Sequence, residues 1–550
     1  MTRIGPDEAF PVLTPAQIDA LRSYGIEEEF TDGAILFEEG DQVFDFFVVL
    51  EGAIDILQHA GAEGDKPVQI TRHMPGEFTG DTDMLSTRAA VIYAQAVGKT
   101  KVIRITPQKL QRVVVENSEL SDLILRTFLI RRTALTASQL SPVKVIGSRF
   151  SQDTFRIKEF LSKNGQPYMW VDIDADEGVY QILESFGVKP DETPIILYRN
   201  RNVYKNPPNE AIATGLGFNV LDQEVNDVLV IGAGPAGLAA SVYAASEGLK
   251  VTAIDAEGPG GQAGTSSKIE NYLGFPTGIS GRDLAERAYM QAQKFGANIA
   301  TPVCAKSLTC RFPLYEVEVS GDRKIITRSV VIASGAKYRK LPLDNLTQYE
   351  GRGIFYGATA MEAQLCTQQD VIVVGGGNSA GQAAVFLSKH ARKVNIFIRS
   401  KDLSHSMSRY LIRRIEETPN IELHCHTEIT ELSGADGKLK QVTCRNRQSG
   451  ESWVMDVPNL FIFIGAKPNT DWLDQAIATD EKGFVKTGHD LSEEELADWP
   501  LDRQPALFET SRPRIYAVGD VRSSSTKRVA SAVGEGSIVV QFIHRALAEE

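Results

Sequence analysis

Short apolar stretches separated by glycine turns dominate residues 1–138. Segments 35–41, 44–52 and 100–106 carry the apolar-rich, partly alternating pattern that is typical of strands with a buried face. Residues 106–132 instead place apolar residues at helical spacing. The pattern predicts a small β-barrel closed by helices.

Residues 139–224 follow a different pattern, in which strand-like and helical segments alternate. The predicted strands are 143–148, 168–176 and 195–200, and the predicted amphipathic helices are 153–165 and 179–188. This β-α-β-α-β order predicts a small α/β domain.

A strand, a glycine-rich turn and a helix follow one another at residue 226. The apolar strand DVLVI runs into Gly232-x-Gly234-x-x-Gly237, and Asp255 ends the next strand. Gly232 allows a tight turn, Gly234 lets a pyrophosphate approach the positive helix N-terminus, and Gly237 permits close helix–strand packing. Asp255 stands where an acid hydrogen-bonds a ribose hydroxyl, so the segment predicts a dinucleotide-binding unit.

The same unit recurs after the strand DVIVV, as Gly375-x-Gly377-x-x-Ala380. The following strand ends in Arg399 rather than in an acid. A guanidinium can pair with a 2′-phosphate, which favours NADPH over NADH. Two further cations nearby in the sequence extend this predicted cluster, namely Lys401 and Arg409.

Composition and charge narrow the functional class. Of the 550 residues, 42% are hydrophobic and 23% are charged, an ordinary globular balance. The net charge of -13 disfavours binding to nucleic acid or to an anionic membrane. The five cysteines include no CxxC pair, and no signal peptide or membrane-length apolar run is visible. A cytoplasmic protein without a metal site is therefore expected.

Residues 225–550 resemble the low-molecular-weight thioredoxin reductase family, through segments 258–276, 330–341, 461–473 and 514–536. The resemblance implies an FAD domain over 225–345 and 466–550, interrupted by an NADPH domain over 346–465. It also implies a homodimer and rotation of the two domains during turnover. Further FAD-binding positions implied by the resemblance are Gly261, Gln262, Asn271, Gly519 and Asp520.

One feature of that family is missing from this sequence. Gly357 and Ala360 stand where the family carries its CxxC dithiol. Without two thiols, no intramolecular disulfide can relay electrons from reduced flavin. Cys366, six residues further on, is a candidate redox thiol, although a lone cysteine on an apolar helix face is often a core residue.

The α/β domain over 139–224 resembles the thioredoxin/glutaredoxin fold, with Thr193-Pro194 at the place of that fold's cis-proline. Ser151 to Thr154 occupy the usual place of its redox pair. Hydroxyl groups cannot form a disulfide, and these residues are more simply helix N-caps. A second dithiol is therefore absent from the chain.

The domain over 1–138 resembles the cyclic-nucleotide-binding fold, with matching glycines at Gly40 and Gly52. Its phosphate cassette would use Gly80, Asp81 and Arg88, with the acid one methylene shorter than the family's glutamate. Binding of a cyclic nucleotide and use of a degenerate barrel for docking both remain open.

Together these patterns predict a multidomain flavoprotein, with a nucleotide-binding-like barrel, a thioredoxin-like domain and two dinucleotide-binding domains. The predicted activity is an NADPH-dependent FAD oxidoreductase that passes hydride to FAD and then to an unidentified acceptor. The alternative is an FAD- and NADPH-binding redox sensor with little turnover. A cyclic nucleotide and a thiol or disulfide protein are the partners considered.

Overall fold

The computed structural model describes most of the chain. The residues outside the description are 1–6, 60–66, 87, 91, 138–140, 142, 176–178, 180–182, 185, 199–201, 267, 436–437 and 550. Among the described residues, no helix combines the length and the apolar character that crossing a membrane requires.

The first unit is an antiparallel sheet with three helices. Its elements are α1 (Pro15–Arg22), β1 (Ile26–Phe30), β2 (Ile35–Phe37), β3 (Phe46–Gln58), β4 (Val68–His73), β5 (Tyr93–Ile105), α2 (Pro107–Glu116) and α3 (Ser118–Ala137). The strands follow the order β1-β5-β3-β4, and β2 also pairs with β5. Apolar residues of the sheet and of α2 and α3 form one buried core, which includes Phe46, Phe78 and Phe128.

The helical stretch predicted over 106–132 consists of the two helices α2 and α3. Asn117 lies between α2 and α3 in an extended conformation, and its Oδ1 accepts a hydrogen bond from the Leu120 N–H at 3.0 Å. Asparagine is a favoured N-cap because its side chain satisfies a free N–H of the first turn. The apolar spacing alone did not reveal this break.

The central unit is a four-stranded mixed sheet flanked by helices. Its elements are β6 (Val143–Gly147), α4 (Gln152–Lys163), β7 (Met169–Asp172), β8 (Ile195–Tyr198), β9 (Asn202–Lys205) and α5 (Asn209–Leu216). The strand order is β7-β6-β8-β9, with β7 parallel and β8 antiparallel to β6. The Thr193–Pro194 peptide bond is cis. Four of the ten residues of the helix predicted over 179–188, namely 180–182 and 185, lie outside the described residues.

The first dinucleotide domain begins with β10 (Asn226–Ile231), α6 (Pro235–Ser246) and β11 (Val251–Ile254). It continues with α7 (Gly281–Lys294), β12 (Asn298–Ala300), β13 (Ala305–Arg311), β14 (Leu314–Val319) and β15 (Arg323–Ile332). The strand order is β12-β11-β10-β15-β14-β13. Strands β10, β11, β12 and β15 are parallel, so their carboxyl ends meet at one sheet edge.

The second dinucleotide domain is inserted between β15 and the last strand of the first domain. Its elements are β16 (Ala336–Tyr338), β17 (Ile354–Phe355), α8 (Ala360–Leu365), β18 (Asp370–Val374), α9 (Asn378–Leu387), β19 (Lys393–Phe397), α10 (Arg409–Glu416), β20 (Ile421–His424), β21 (Thr427–Ala435), β22 (Lys438–Asn446), β23 (Ser452–Asp456), β24 (Asn459–Ile462) and β25 (Ala466–Pro468). A parallel sheet has the order β17-β24-β18-β19-β20. Strands β16 and β25 pair antiparallel where the chain leaves and re-enters the first domain.

The chain then completes the first domain. Strand β26 (Ile515–Ala517) pairs parallel with β15, and α11 (Val529–Leu547) packs against α6. Apolar residues of β10, α6 and α11 share one buried core.

Candidate functional site

The first glycine turn is fixed by close backbone packing. A Cβ added at Gly237 would lie 1.8 Å from the Gly232 carbonyl oxygen, and one at Gly232 would lie 2.3 Å from the Ala333 carbonyl oxygen. Gly232 also has a φ of +110°, which side chains rarely adopt. Both glycines are therefore required for β10 and α6 to approach each other.

Gly234 differs from its neighbours because it faces open space. A Cβ added there would have only the Gly261 Cα within 4 Å, at 3.9 Å. Gly234 is the N-cap of α6, so the free N–H groups of the first helical turn lie beside this space. The arrangement is a cradle for an anion, and a pyrophosphate fits its size and charge.

Asp255 holds the glycine turn in place. Its Oδ2 accepts a hydrogen bond from the Ala233 N–H at 2.8 Å, and its Oδ1 accepts from the N–H groups of Glu257 and Gly258 at 2.9 and 3.0 Å. Burial raises the pKa of the Asp255 carboxyl. Each carboxylate oxygen has two lone-pair sites, so the predicted ribose contact is chemically compatible with these bonds.

One cavity of about 1870 Å³ extends from the first glycine turn to the first residues of α9, and Gly375 and Gly377 are not among its lining residues. Seven of the nine FAD positions taken from the sequence line this cavity, namely Gly232, Gly234, Asp255, Gly261, Gln262, Asn271 and Asp520. Gly237 and Gly519 lie behind the wall, where Gly519 donates its N–H to Glu535 at 2.7 Å. The second domain contributes Asn378, Ser379 and Gln382, which lie at the start of α9.

The second glycine turn repeats the geometry of the first. A Cβ added at Gly375, whose φ is +140°, would lie 2.2 Å from the Phe463 carbonyl oxygen. Gly377, the N-cap of α9, would bring a Cβ within 4 Å of the Ser406 carbonyl oxygen alone. Ala380 is buried in the domain core. The N-terminus of α9 is therefore open in the same way as that of α6.

The predicted phosphate cluster borders this second turn. The loop after β19 is bound to the turn, because Ser406 donates to the Gly376 carbonyl at 2.7 Å and the Ser408 N–H donates to Asn378 Oδ1 at 2.7 Å. Three exposed cations flank this loop, namely Arg399, Lys401 and Arg409. Exposed cations next to an open helix N-terminus suit a phosphate group.

The segment without the dithiol lies on the first domain. A Cβ added at Gly357 would lie 3.3 Å from Thr265 Cβ, and Ala358 forms an isolated β-bridge with Ser266. Arg414 of α10 forms an ion pair with Glu270 at 2.6 Å. The second domain thus rests on residues 265–270, within the segment that resembles the family's flavin contact.

The environment of Cys366 weighs against its candidate redox role. Its side chain is 0% exposed and belongs to the core of the second domain. Burial, with a smaller contribution from Glu362, raises the pKa of the Cys366 thiol to about 12. A thiol with this pKa is almost entirely protonated at neutral pH and is a poor nucleophile.

We expect Cys366→Ala to leave NADPH oxidation within about twofold of wild type while lowering the free energy of unfolding by ~1–2 kcal/mol through a small cavity. Steady-state kinetics and denaturant unfolding measure the two effects. Cys444→Ala, at a buried cysteine that does not line the cavity, is the control. A tenfold loss of turnover in the Cys366 variant alone would restore the redox assignment.

The cassette of the first unit lies at a junction of three units. The buried Arg88 donates from Nη2 to the Asn164 carbonyl at 2.6 Å and lies 4.7 Å from the centre of the Phe218 ring. It also contacts Tyr289 of α7, with 3.4 Å between Arg88 Nη2 and the hydroxyl. Its role as a phosphate ligand stays a prediction that competes with these contacts.

The other two cassette residues pack onto α3. A Cβ at Gly80, whose φ is +106°, would lie 2.3 Å from Met84 Sδ. Asp81 Oδ1 accepts a hydrogen bond from the Asp83 N–H at 3.0 Å. Burial and the neighbouring Asp83 carboxylate raise the pKa of Asp81 to about 6.

Within the described residues, no group of three histidine, cysteine or acidic side chains could hold a metal ion. His424, which the sequence brings close to another histidine, forms a hydrogen bond with Asn395 Oδ1 at 3.1 Å.

Sequence reasoning missed some residues of the site. Asn378 and Ser379 follow the second glycine turn directly, and this position at a helix N-terminus could have identified them. Asn164 and Tyr289 carry no local signal, because their contacts with Arg88 join units that are distant in the sequence.

The fold and the cavity define the class. Two domains with open glycine turns, one inserted in the other and both facing one cavity, form a pyridine-nucleotide flavoprotein. The family model for pyridine nucleotide-disulphide oxidoreductases matches residues 226–536, and the chain belongs to that family. Residues 27–117 match the model of the cyclic nucleotide-binding domain.

Within that family, the similar proteins are thioredoxin reductases. The chain is 30% identical over 328 residues to the thioredoxin reductase of Bacillus subtilis, covering 60% of this chain and 96% of that protein. It is 32% identical over 329 residues to NADPH-dependent thioredoxin reductase 3 of Arabidopsis thaliana, covering 59% of this chain and 58% of that protein. The crystal structure of Lactococcus lactis thioredoxin reductase (FR conformation) matches with a TM-score of 0.53 and 28% identity, over 59% of this chain and 100% of that one.

FAD and NADPH are the cofactors of this family. The cavity is lined by seven of the predicted FAD positions, and the predicted NADPH positions lie outside its lining. The chain is thus a thioredoxin reductase-like oxidoreductase that carries an additional cyclic-nucleotide-binding domain.

Proposed function

We propose that the protein is an NADPH-dependent FAD oxidoreductase whose electron acceptor is not an internal dithiol. The single observation that supports this most strongly is the cavity onto which both open helix N-termini face. When bound, FAD supplies a hydride acceptor that can release two electrons to a further substrate. The protein's own contribution is to bind, orient and shield the two dinucleotides.

Each glycine turn has its own task in this proposal. Gly234 and the first turn of α6 hold the FAD pyrophosphate, and Asp255 keeps that turn rigid through the Ala233 N–H. Gly377 and the first turn of α9 hold the NADPH pyrophosphate. The exposed Arg399 pairs with the 2′-phosphate, supported by the two neighbouring cations Lys401 and Arg409.

Two observations support an acceptor other than an internal dithiol. Gly357 and Ala360 supply no thiol at the positions of the family's dithiol, and burial raises the pKa of the Cys366 thiol to about 12. Disulfide relay requires a thiolate that can attack. A disulfide carried by another protein, a quinone and oxygen are the acceptors to compare.

Anaerobic stopped-flow mixing of FAD-loaded protein with NADPH tests the enzyme assignment. Bleaching of the flavin absorbance within seconds supports an oxidoreductase. The absence of bleaching, with bleaching by a chemical reductant intact, would favour the alternative of a redox sensor with little turnover.

We further propose that the central unit is a thioredoxin-like domain without redox activity. The β7-β6-β8-β9 strand order supports this interpretation. Ser151 caps α4, since its hydroxyl accepts a hydrogen bond from the Thr154 N–H at 3.3 Å. A homodimer is the assembly we propose, because Tyr243 of α6 and Ile538 of α11 are 46% exposed on helices that pack together.

A nucleotide that binds the first unit is proposed to regulate the enzyme through Arg88. We expect Arg88→Ala to abolish binding of cyclic AMP, measured by calorimetry, if Arg88 holds the cyclic phosphate. The same change leaves the Asn164 carbonyl without its buried donor and lowers the free energy of unfolding by about 1–3 kcal/mol. Arg126→Ala, at an exposed arginine of α3, is the control. Binding that is equal in both variants would remove Arg88 as the phosphate ligand.

A further inference from the structure

The N-terminal end of α4 contacts the second dinucleotide domain. Gln152 donates from Nε2 to the Glu350 carbonyl, and the rings of Phe155 and Phe355 lie 6.0 Å apart between centroids. A Cβ added at Gly351 would lie 3.7 Å from Phe155 Cδ1. The end of the central unit where its fold would carry a redox pair therefore packs on segment 350–355.

The C-terminal end of α4 is bound to the first dinucleotide domain. Lys163 forms an ion pair with Glu257 at 2.6 Å, and Asn164 donates from Nδ2 to the Glu257 carbonyl at 2.9 Å. Thr301 donates to Asn164 Oδ1 at 2.5 Å. A helix of 12 residues spans about 18 Å, so α4 is a strut between the two domains.

The contacted segment leads directly to the place where the domains touch. Phe355 ends β17, and three residues later Ala358 pairs with Ser266 of the first domain. The ion pair between Arg414 and Glu270 closes the same interface. Contacts at segment 350–355 and contacts at 265–270 thus belong to one rigid edge of the second domain.

We propose that the N-terminal end of α4 is an interaction surface whose partner is segment 350–355 of the same chain. Its occupation holds the second domain on residues 265–270 and slows the reduction of bound FAD by NADPH. This inference rests on the proposed oxidoreductase function. In this proposal the central unit inhibits the reduction of FAD by NADPH, and it does not relay electrons through a dithiol.

The contact is expected to slow FAD reduction because residues 357–358 cover part of the flavin-contact segment. Residues 357–358, rather than the glycine turn at Gly375–Gly377, lie against Thr265 and Ser266. Hydride transfer requires the reacting atoms to approach to about 3–3.5 Å. Under this proposal, the nicotinamide end of NADPH reaches the flavin-contact segment after segment 357–358 moves away from Thr265 and Ser266, and the contacts of α4 oppose that movement.

The test uses the full chain with the surface weakened. The double variant Gln152→Ala/Phe155→Ala removes the hydrogen bond and the ring contact, and Tyr204→Ala removes a 44% exposed aromatic side chain from β9 of the same unit. We expect the double variant to reduce FAD with NADPH at least about fivefold faster in stopped flow, a coupling of ordinary size between two sites. The control should match wild type.

Hydrogen–deuterium exchange gives a second readout that does not depend on turnover. We expect exchange in segments 350–358 and 264–270 to be faster in the double variant by about the same fivefold factor. Faster exchange in 350–358 alone would overturn the inference, because the surface would then not hold the second domain on 265–270.

A disulfide that links α4 to segment 350–355 tests whether strengthening this contact slows FAD reduction. Because a Cβ at Gly351 would lie 3.8 Å from Gln152 Cγ, the variant Gln152→Cys/Gly351→Cys places two thiols within bridging range. We expect its oxidised form to reduce FAD at least about tenfold more slowly than the same protein after reduction. Equal rates in the locked, reduced and double-alanine proteins would overturn the inference while leaving the oxidoreductase function intact. If NADPH reduces none of them, the function fails and the exchange experiment still decides the inference.

Discussion

Replacing Gly234 by valine should give a folded protein without FAD. In the structure, a Cβ at this position meets only the Gly261 Cα, at 3.9 Å, so the chain itself tolerates a small side chain. The isopropyl group would instead fill the space over the first turn of α6. We expect FAD to bind roughly 100-fold more weakly or worse, which corresponds to ~3 kcal/mol or more. The ratio of flavin absorbance to protein absorbance after purification measures the loss.

The control for this experiment is Gly215→Val. Gly215 lies in α5 and is not among the residues lining the cavity, and a Cβ there meets no atom within 4 Å. Both variants should keep wild-type circular dichroism, and the control alone should be yellow. A yellow Gly234 variant would show that the pyrophosphate is not held at this turn.

Removing the guanidinium of Arg399 should convert the enzyme from NADPH preference toward indifference between the two nicotinamide cofactors. A charge-assisted hydrogen bond contributes about 1.5–3 kcal/mol, so Arg399→Ala should raise KM for NADPH on the order of 10–100-fold. KM for NADH should change less than about twofold, since NADH has no 2′-phosphate. Steady-state kinetics with both cofactors measure this difference.

Arg392→Ala is the matched control for Arg399. Arg392 is also an exposed arginine at an end of β19, but it pairs with Asp370 at 2.8 Å and lies at the opposite end of the strand. We expect Arg392→Ala to change neither the KM for NADPH nor the KM for NADH. An equal rise in both KM values for the Arg399 variant would place the 2′-phosphate elsewhere.

The parts of this molecule that the sequence predicts well are those set by local chemistry. Gly237 must be glycine because a Cβ would overlap the Gly232 carbonyl, and such a requirement leaves a readable motif. The sequence predicted helices over 106–132 but gave no boundary at Asn117, because apolar spacing continues across it although its amide offers a cap. Cap chemistry and hydrophobic periodicity conflicted there, and the cap determined the boundary.

The contacts between units could not be read from the sequence. Arg88 matches a phosphate ligand by its position in a motif, yet its guanidinium is used between Asn164 and Tyr289. Gln152 and Phe155 look like ordinary residues of an amphipathic helix, and their packing on Phe355 depends on how the units assemble. Local sequence specifies the units, whereas shape and charge across long separations specify their assembly.

The insertion marked by the β16–β25 pair has a consequence for biosynthesis. The ribosome releases β10 to β15 first, and the whole second domain must follow before β26 and α11 emerge. Until then, β15 lacks its β26 neighbour and α6 lacks the helix packed against it. During this interval, the nascent first domain exposes an unpaired part of β15 and an uncovered apolar face of α6. The second domain can fold earlier, because all its strands have then been synthesised.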